Sequence, residues 1–180
     1  MDTKVINDAF STKKKAYLSE KMIGLINDLI AAEFNAQQLY KSMSTWATYT
    51  GYTGLAKLMD GHTGDENSHM NKLYKYMLDR QVNPITPAVK SQPTTYKDLK
   101  DVLEKSLAHE ELIENTYKNA VKVALAEADH TSYTFFQWFL SEQVEEIDLF
   151  SGWLDRLAII GYDKRGMYFL DNEILESLED

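Results

Sequence analysis

Only three prolines interrupt the 180 residues, and all of them lie between Pro84 and Pro93. Proline breaks helix interiors, so the two proline-free arms on either side permit long helices. The apolar spacing uses that freedom. Met22, Ile26, Leu29, Ala36, Tyr40, Met43 and Ala47 follow Leu18 at helical intervals until Gly51 interrupts them. A second segment, from about Tyr52 to Arg80, carries Leu55, Met59, Leu73 and Tyr76 on one face. A third begins after Thr95, whose hydroxyl is expected to cap it with Asp98 three residues on, and its stripe is Leu99, Leu103, Leu107, Tyr117, Val121 and Ala124. The fourth follows the Asp129-His130 turn, with Phe135, Phe139, Leu149, Trp153, Leu157 and Ile160 predicted inward and Gly161 as its stop. A short fifth helix is predicted from Tyr168 to Leu178 after a polar turn, and no strand pattern or internal repeat occurs.

Each main segment is roughly 30 residues, hence about 45 Å long. Three connections are short and force antiparallel neighbours, whereas Gln81 to Thr95 holds all the prolines and can span about 50 Å when extended. It reads as a crossover that sets the third helix parallel to the second. The fold class is therefore all-α, a four-helix bundle with one long connection and a short C-terminal helix. Residues 17–180 form one domain, and 1–16 read as an N-terminal extension.

Composition excludes several chemistries. Acids outnumber bases 28 to 19, a net charge of −9, so no cationic surplus exists to replace nucleic-acid counterions. Zero cysteines remove disulfides, thiolate catalysis and Cys-ligated clusters. No apolar run approaches a membrane span, and the segment before Lys15 lacks the apolar core of a signal peptide, so a cytoplasmic protein is expected.

Polar residues on the inward stripes are the informative ones. Glu33 lies seven residues after Ile26 and seven before Tyr40; Glu66 is placed likewise between Met59 and Leu73, with His69 one turn on. Glu110 falls between Leu103 and Tyr117, and Glu146 between Phe139 and Trp153, with Glu142 one turn earlier. Each glutamate is near its helix midpoint, and midpoints coincide in a bundle whichever way the helices run. Four carboxylates meeting in a low dielectric could not all remain ionised unaided. Two divalent cations would balance them, and Glu66-x-x-His69 offers an oxygen and a nitrogen on one face, a donor set suited to iron or manganese.

These motifs resemble the ferritin family, most closely its bacterial non-haem members. The resemblance is carried by Ala32-Glu33-Phe34, Gln38 to Met43, Asp65-Glu66-Asn67-Ser68-His69-Met70, His109-Glu110-Glu111-Leu112, Phe136 to Glu146, and Gly166 to Asp171. It implies a ferritin-like bundle with an intrasubunit di-iron ferroxidase centre. Glu33, Glu66 and His69 would hold one iron, and Glu66 would bridge to a second held by Glu110 and Glu146. Gln143 would sit close by, and Tyr40 would hydrogen-bond a ligand or donate an electron. A third, looser iron site would draw on Asp65, Glu142, Glu145 and Glu146. The implied activity is oxidation of Fe2+ by O2 or H2O2 and deposition of a ferric oxide mineral core inside a homo-oligomeric shell of 24 subunits, with no nucleic-acid or membrane partner. Haem is not expected, because Asn67 stands where bacterioferritins place a haem-ligating Met after the bridging Glu. Other readings left open are a di-iron enzyme acting on an organic substrate, a shell whose centre is slow, and a helical scaffold binding no metal.

His62, one turn before Glu66, reads as either a group supporting the ligands or a hydrogen-bonded core histidine. His109 and His130 read as surface residues, and Glu127 and Asp129 as weak candidates for lining an ion channel. Gly61 and Gly64 either admit a neighbouring helix or bend their own.

Overall fold

The computed structural model describes residues 15–179, so most of the predicted 1–16 extension lies outside the described residues. Five helices follow one another: α1 Glu20–Thr50, α2 Thr53–Asp79, α3 Leu99–Ala126, α4 His130–Ile160 and α5 Lys164–Ser177, with no strand among the described residues.

Short polar side chains start most of them. Ser19 accepts from the Met22 N–H, Asp129 from Ser132, and Asp163 from Arg165 and Gly166. The α3 cap is Asp98 rather than the expected Thr95: its carboxylate accepts from the Asp101 N–H at 2.9 Å. A charged oxygen directly before Leu99 satisfies the free N–H groups better than a hydroxyl three residues upstream. Capping by Asp163 likewise starts α5 at Lys164, four residues before the predicted Tyr168. Gly51 closes α1 in the left-handed region (φ 92°), where a side chain would be strained.

Packing fixes the helix directions. One apolar cluster joins the end of α1 (Met43, Ala47), the start of α2 (Leu55, Met59), the start of α3 (Leu99, Leu103), the end of α4 (Phe150, Leu157) and α5 (Leu170, Ile174). A second joins the start of α1 (Ile26, Leu29), the end of α2 (Leu73, Met77), the end of α3 (Tyr117, Ala120) and the start of α4 (Phe136, Phe139). Helix α3 therefore runs parallel to α2, as a crossover requires. That connection lies along α1: the Ile85 N–H donates to Asn27 Oδ1 at 2.8 Å, the Lys90 N–H to Asn35 Oδ1 at 3.3 Å, and Ser42 Oγ to the Pro93 carbonyl.

The inward face of α4 differs from the predicted stripe. Phe136, Phe139, Gln143, Phe150 and Leu157 are buried, while Leu149 is exposed and Phe135, Trp153 and Ile160 are half-buried. The apolar residues Phe135/Phe136 and Leu149/Phe150 are adjacent, so composition alone left a one-residue phase ambiguity, about 100° on the helix. The observed phase puts Gln143 at the centre of the face and Glu146 at its edge.

Helix α5 is tied to the start of α2, which has no cap of its own: Asp171 accepts from the Thr53 N–H at 2.9 Å and the Leu55 N–H at 2.8 Å. The approach is close enough that a Cβ at Gly54 would lie 2.0 Å from the Asp171 carbonyl oxygen. Gly54→Ala is therefore expected to cost about 2–4 kcal/mol, a size typical of backbone clash and lost capping together, read as a lower denaturation midpoint. A Cβ at Gly61 or Gly64 meets no atom within 4 Å, so neither glycine admits a neighbouring helix within the chain.

Candidate metal centre

Between the two apolar clusters lies one layer of polar side chains, contributed by all four long helices. Glu33 on α1, His62, Glu66 and His69 on α2, Glu110 on α3 and Gln143 on α4 are all buried. The sequence periodicity explains the placement, since each glutamate occupies an inward heptad-spaced position on a helix otherwise apolar on that face.

Glu33, Glu66 and His69 come together, with one ligand atom from each lying within 4.8 Å of the others. His69 Nδ1 is 3.3 Å from Glu66 Oε2 and 4.0 Å from Glu33 Oε2. Donor atoms about 2.1 Å from one divalent ion stand roughly 3–4 Å apart, so this spacing suits a shared ion. Glu110 faces the layer from α3. Its Oε1 accepts from the Tyr40 hydroxyl and its Oε2 from Gln143 Nε2 at 2.7 Å.

Glu146 sits at the α2–α4 edge of the layer. Its Oε2 lies 3.1 Å from His62 Nδ1, the two atoms being close but not aligned for a hydrogen bond. His62, Asp65 and Glu146 form a second three-residue group with ligand atoms within 4.8 Å. Asp65 is exposed, as is Glu145, and both line a surface groove with His62 and Glu146; Glu142 is half-buried and joins neither group.

The electrostatics follow from the burial. Burial holds the Glu33 carboxyl well above the usual carboxylate range, the Glu66 charge adds to this, and His69 and the Tyr117 hydroxyl oppose it. Glu66 is pushed up to about 8, first by burial; the adjacent Glu33 carboxyl opposes the shift, and the charges of Glu110, Glu146 and Asp65 add to it. Glu66 thus lies among carboxylates contributed by the other three long helices, Glu33, Glu110 and Glu146. Three buried polar atoms of the layer, Glu33 Oε2, His62 Nδ1 and Glu146 Oε2, have no hydrogen-bond partner. Buried polar atoms are normally satisfied, so three orphans converging on one layer fit metal ligation better than packing.

Some participants were not evident in the sequence. Tyr117, assigned above only to the apolar stripe, donates its hydroxyl to Glu33 Oε1. His109 is half-buried rather than on the surface; its ring stands edge-on to Tyr40 at 6.1 Å, and burial lowers its pKa against the opposing Glu110 charge. Partners supplied by other helices decide both, which the periodicity of one helix does not report. Glu127 accepts from Ser19 Oγ at 2.7 Å and Asp129 caps α4, so both have structural partners within the chain.

A four-helix bundle with one crossover and a buried layer of glutamates and imidazole is the arrangement typical of the ferritin-like carboxylate proteins. The ferritin-like domain family matches residues 23–160, and the chain belongs to that family. It is 35% identical over 157 residues to a probable bacterial non-heme ferritin-like protein of Haemophilus influenzae, covering 87% of this chain and 95% of the relative. It is 31% identical to a bacterial non-heme ferritin of Escherichia coli with the same coverage. Among solved structures, an open pore ferritin from the archaeon Archaeoglobus fulgidus superposes with a TM-score of 0.85 at 31% identity, over 89% of this chain and 98% of that one. Among the described residues, no helix is long and apolar enough to cross a membrane.

Proposed function

We propose that the chain is an iron-storage ferritin with ferroxidase activity. The observation that carries this reading is the buried layer to which all four long helices contribute, with its unpartnered Glu33 and Glu146 oxygens. In this reading Fe2+ is the substrate. Glu33, Glu66 and His69 receive one ion, and Glu66 shares the second with Glu110 and Glu146. The anionic oxygens favour the ferric product over Fe2+, which lowers the barrier to oxidation by O2 or H2O2. Tyr40 holds Glu110 from the far side, and Gln143 fixes the other oxygen of the same carboxylate.

Asp65, Glu145 and Glu146 border the groove beside the layer, and with Glu142 they are the proposed third, looser iron position; His62 stands at its inner wall. Asn67 is half-buried and offers no thioether, in keeping with a haem-free protein. The net charge of −9 per chain would draw cations to an assembled shell, and we propose 24 subunits around a ferric oxide core in the cytoplasm.

Aerobic loading tests the storage reading. Fe2+ added at many equivalents per chain should end as mineral retained inside a large particle, measured by sedimentation together with iron content. A small oligomer that keeps no more than two irons per chain contradicts storage.

A further inference from the structure

The eleven tyrosines all lie in the described residues, and among the described residues only Tyr40 and Tyr117 donate a hydroxyl to a carboxylate. Both are fully buried. They stand at opposite sides of the layer, Tyr40 on α1 against Glu110 of α3, and Tyr117 on α3 against Glu33 of α1. Each ring is stacked on a phenylalanine of α4: Tyr117 on Phe139 (centroids 4.5 Å, planes 15° apart) and Tyr40 on Phe150 (6.1 Å, 9°). The Glu33 oxygen that Tyr117 leaves free, Oε2, is the one facing His69. The carboxylate can therefore hold an ion with one oxygen and the phenol with the other.

We propose that Tyr117 is a redox-active phenol that gives an electron to dioxygen reduced at the centre, passing its proton along the existing hydrogen bond to Glu33. This rests on the ferroxidase reading above. Reducing O2 to two waters takes four electrons, and two Fe2+ supply only two. Tyr117 supplies a third, and Tyr40, in the electron-donor role that the family resemblance implies, supplies the fourth. The balance is two Fe2+, two phenols, one O2 and two protons giving two Fe3+, two phenoxyl radicals and two waters. The two phenolic protons pass through Glu33 and Glu110, and the remaining two come from solvent. Two further Fe2+ and two protons restore the phenols. No peroxide needs to leave the buried layer, where it would attack the protein.

The test uses the whole assembled protein with two Fe2+ per chain. Anaerobic binding of two Fe2+ per chain by the wild type is measured first, and its absence would overturn the ferroxidase reading itself. Air is then admitted, and samples frozen within milliseconds to seconds are read by electron paramagnetic resonance, with released H2O2 assayed in parallel. Tyr117→Phe keeps the ring on Phe139 and is expected to bind two Fe2+, lower the tyrosyl signal at least twofold and release H2O2 that the wild type does not. An unchanged signal and peroxide yield in a variant that still binds two Fe2+ would overturn the role of Tyr117 while leaving the ferroxidase reading intact. Loss of the second Fe2+ in Tyr117→Phe would also overturn it, reducing the residue to a positioning group for Glu33. Site-specific 3-fluorotyrosine at position 117 retains the hydroxyl and the packing; fluorine splitting in the wild-type signal is expected, and its absence sinks the proposal whatever Tyr117→Phe does.

Discussion

Glu66→Gln combined with His69→Ala should slow the first aerobic oxidation of Fe2+ by at least about 100-fold. Groups that merely orient metal ligands are worth about 10- to 100-fold in affinity or activity, so loss of two direct ligands should reach or exceed the upper end of that range. Glu66 is the most demanding position. It lies within ligand distance of Glu33 and His69, and it feels the charges of Glu110, Glu146 and Asp65. Glutamine keeps its shape and part of its hydrogen bonding but removes the charge that would bridge two cations. The fold should survive, because a buried carboxyl with a pKa near 8 is mostly neutral at pH 7. Helical circular dichroism and particle size should therefore match the wild type while stopped-flow oxidation collapses. An unchanged initial rate at two Fe2+ per chain would refute the assigned ligands.

The metal-free protein should lose stability as pH rises through neutrality, opposite to the usual behaviour of carboxylates. Glu66 holds its proton in the folded chain up to about pH 8, whereas an unfolded glutamate releases it near 4.5. Burial shifts Glu33 in the same direction. Between those limits the folded state binds more protons than the unfolded one, so each such group lowers the unfolding free energy by about 1.4 kcal/mol per pH unit. The stabilisation is complete below pH 4.5 and lost through pH 8. Thermal midpoints of metal-free protein should fall by roughly 5 °C or more from pH 5.5 to 7.5 at constant oligomeric state. A bound divalent ion requires the ionised carboxylates and stabilises only the folded chain, so it should flatten or reverse that slope. A metal-free midpoint that rises with pH over this window would mean that the layer carboxyls are not held protonated.

Much of this was legible in the chain. Apolar residues at steps of three and four located the long helices, and the three clustered prolines located the one connection that had to be long. The midpoint glutamates were visible for the same reason: each breaks an apolar stripe at a heptad position. What the sequence did not report were relations across helices. Phe136 and Phe150 rather than Phe135 and Leu149 face inward, because neighbouring apolar residues leave the rotation of α4 undecided until the other helices are in place. That rotation centres Gln143 and carries Glu146 to the edge beside His62. Tyr117 looked like any core aromatic until α1 placed Glu33 against its hydroxyl. Asp171 fell inside the predicted fifth helix with no role of its own, yet it caps a helix that begins 118 residues earlier.

Crystals soaked anaerobically in Fe2+ and measured at the iron absorption edge would show whether iron enters the buried layer. Two anomalous peaks per chain are predicted inside the bundle, one bounded by Glu33, Glu66 and His69 and the other between Glu66, Glu110 and Glu146. Iron found only on the outer surface, with none in the layer between the two apolar clusters, would contradict a ferroxidase centre in this chain.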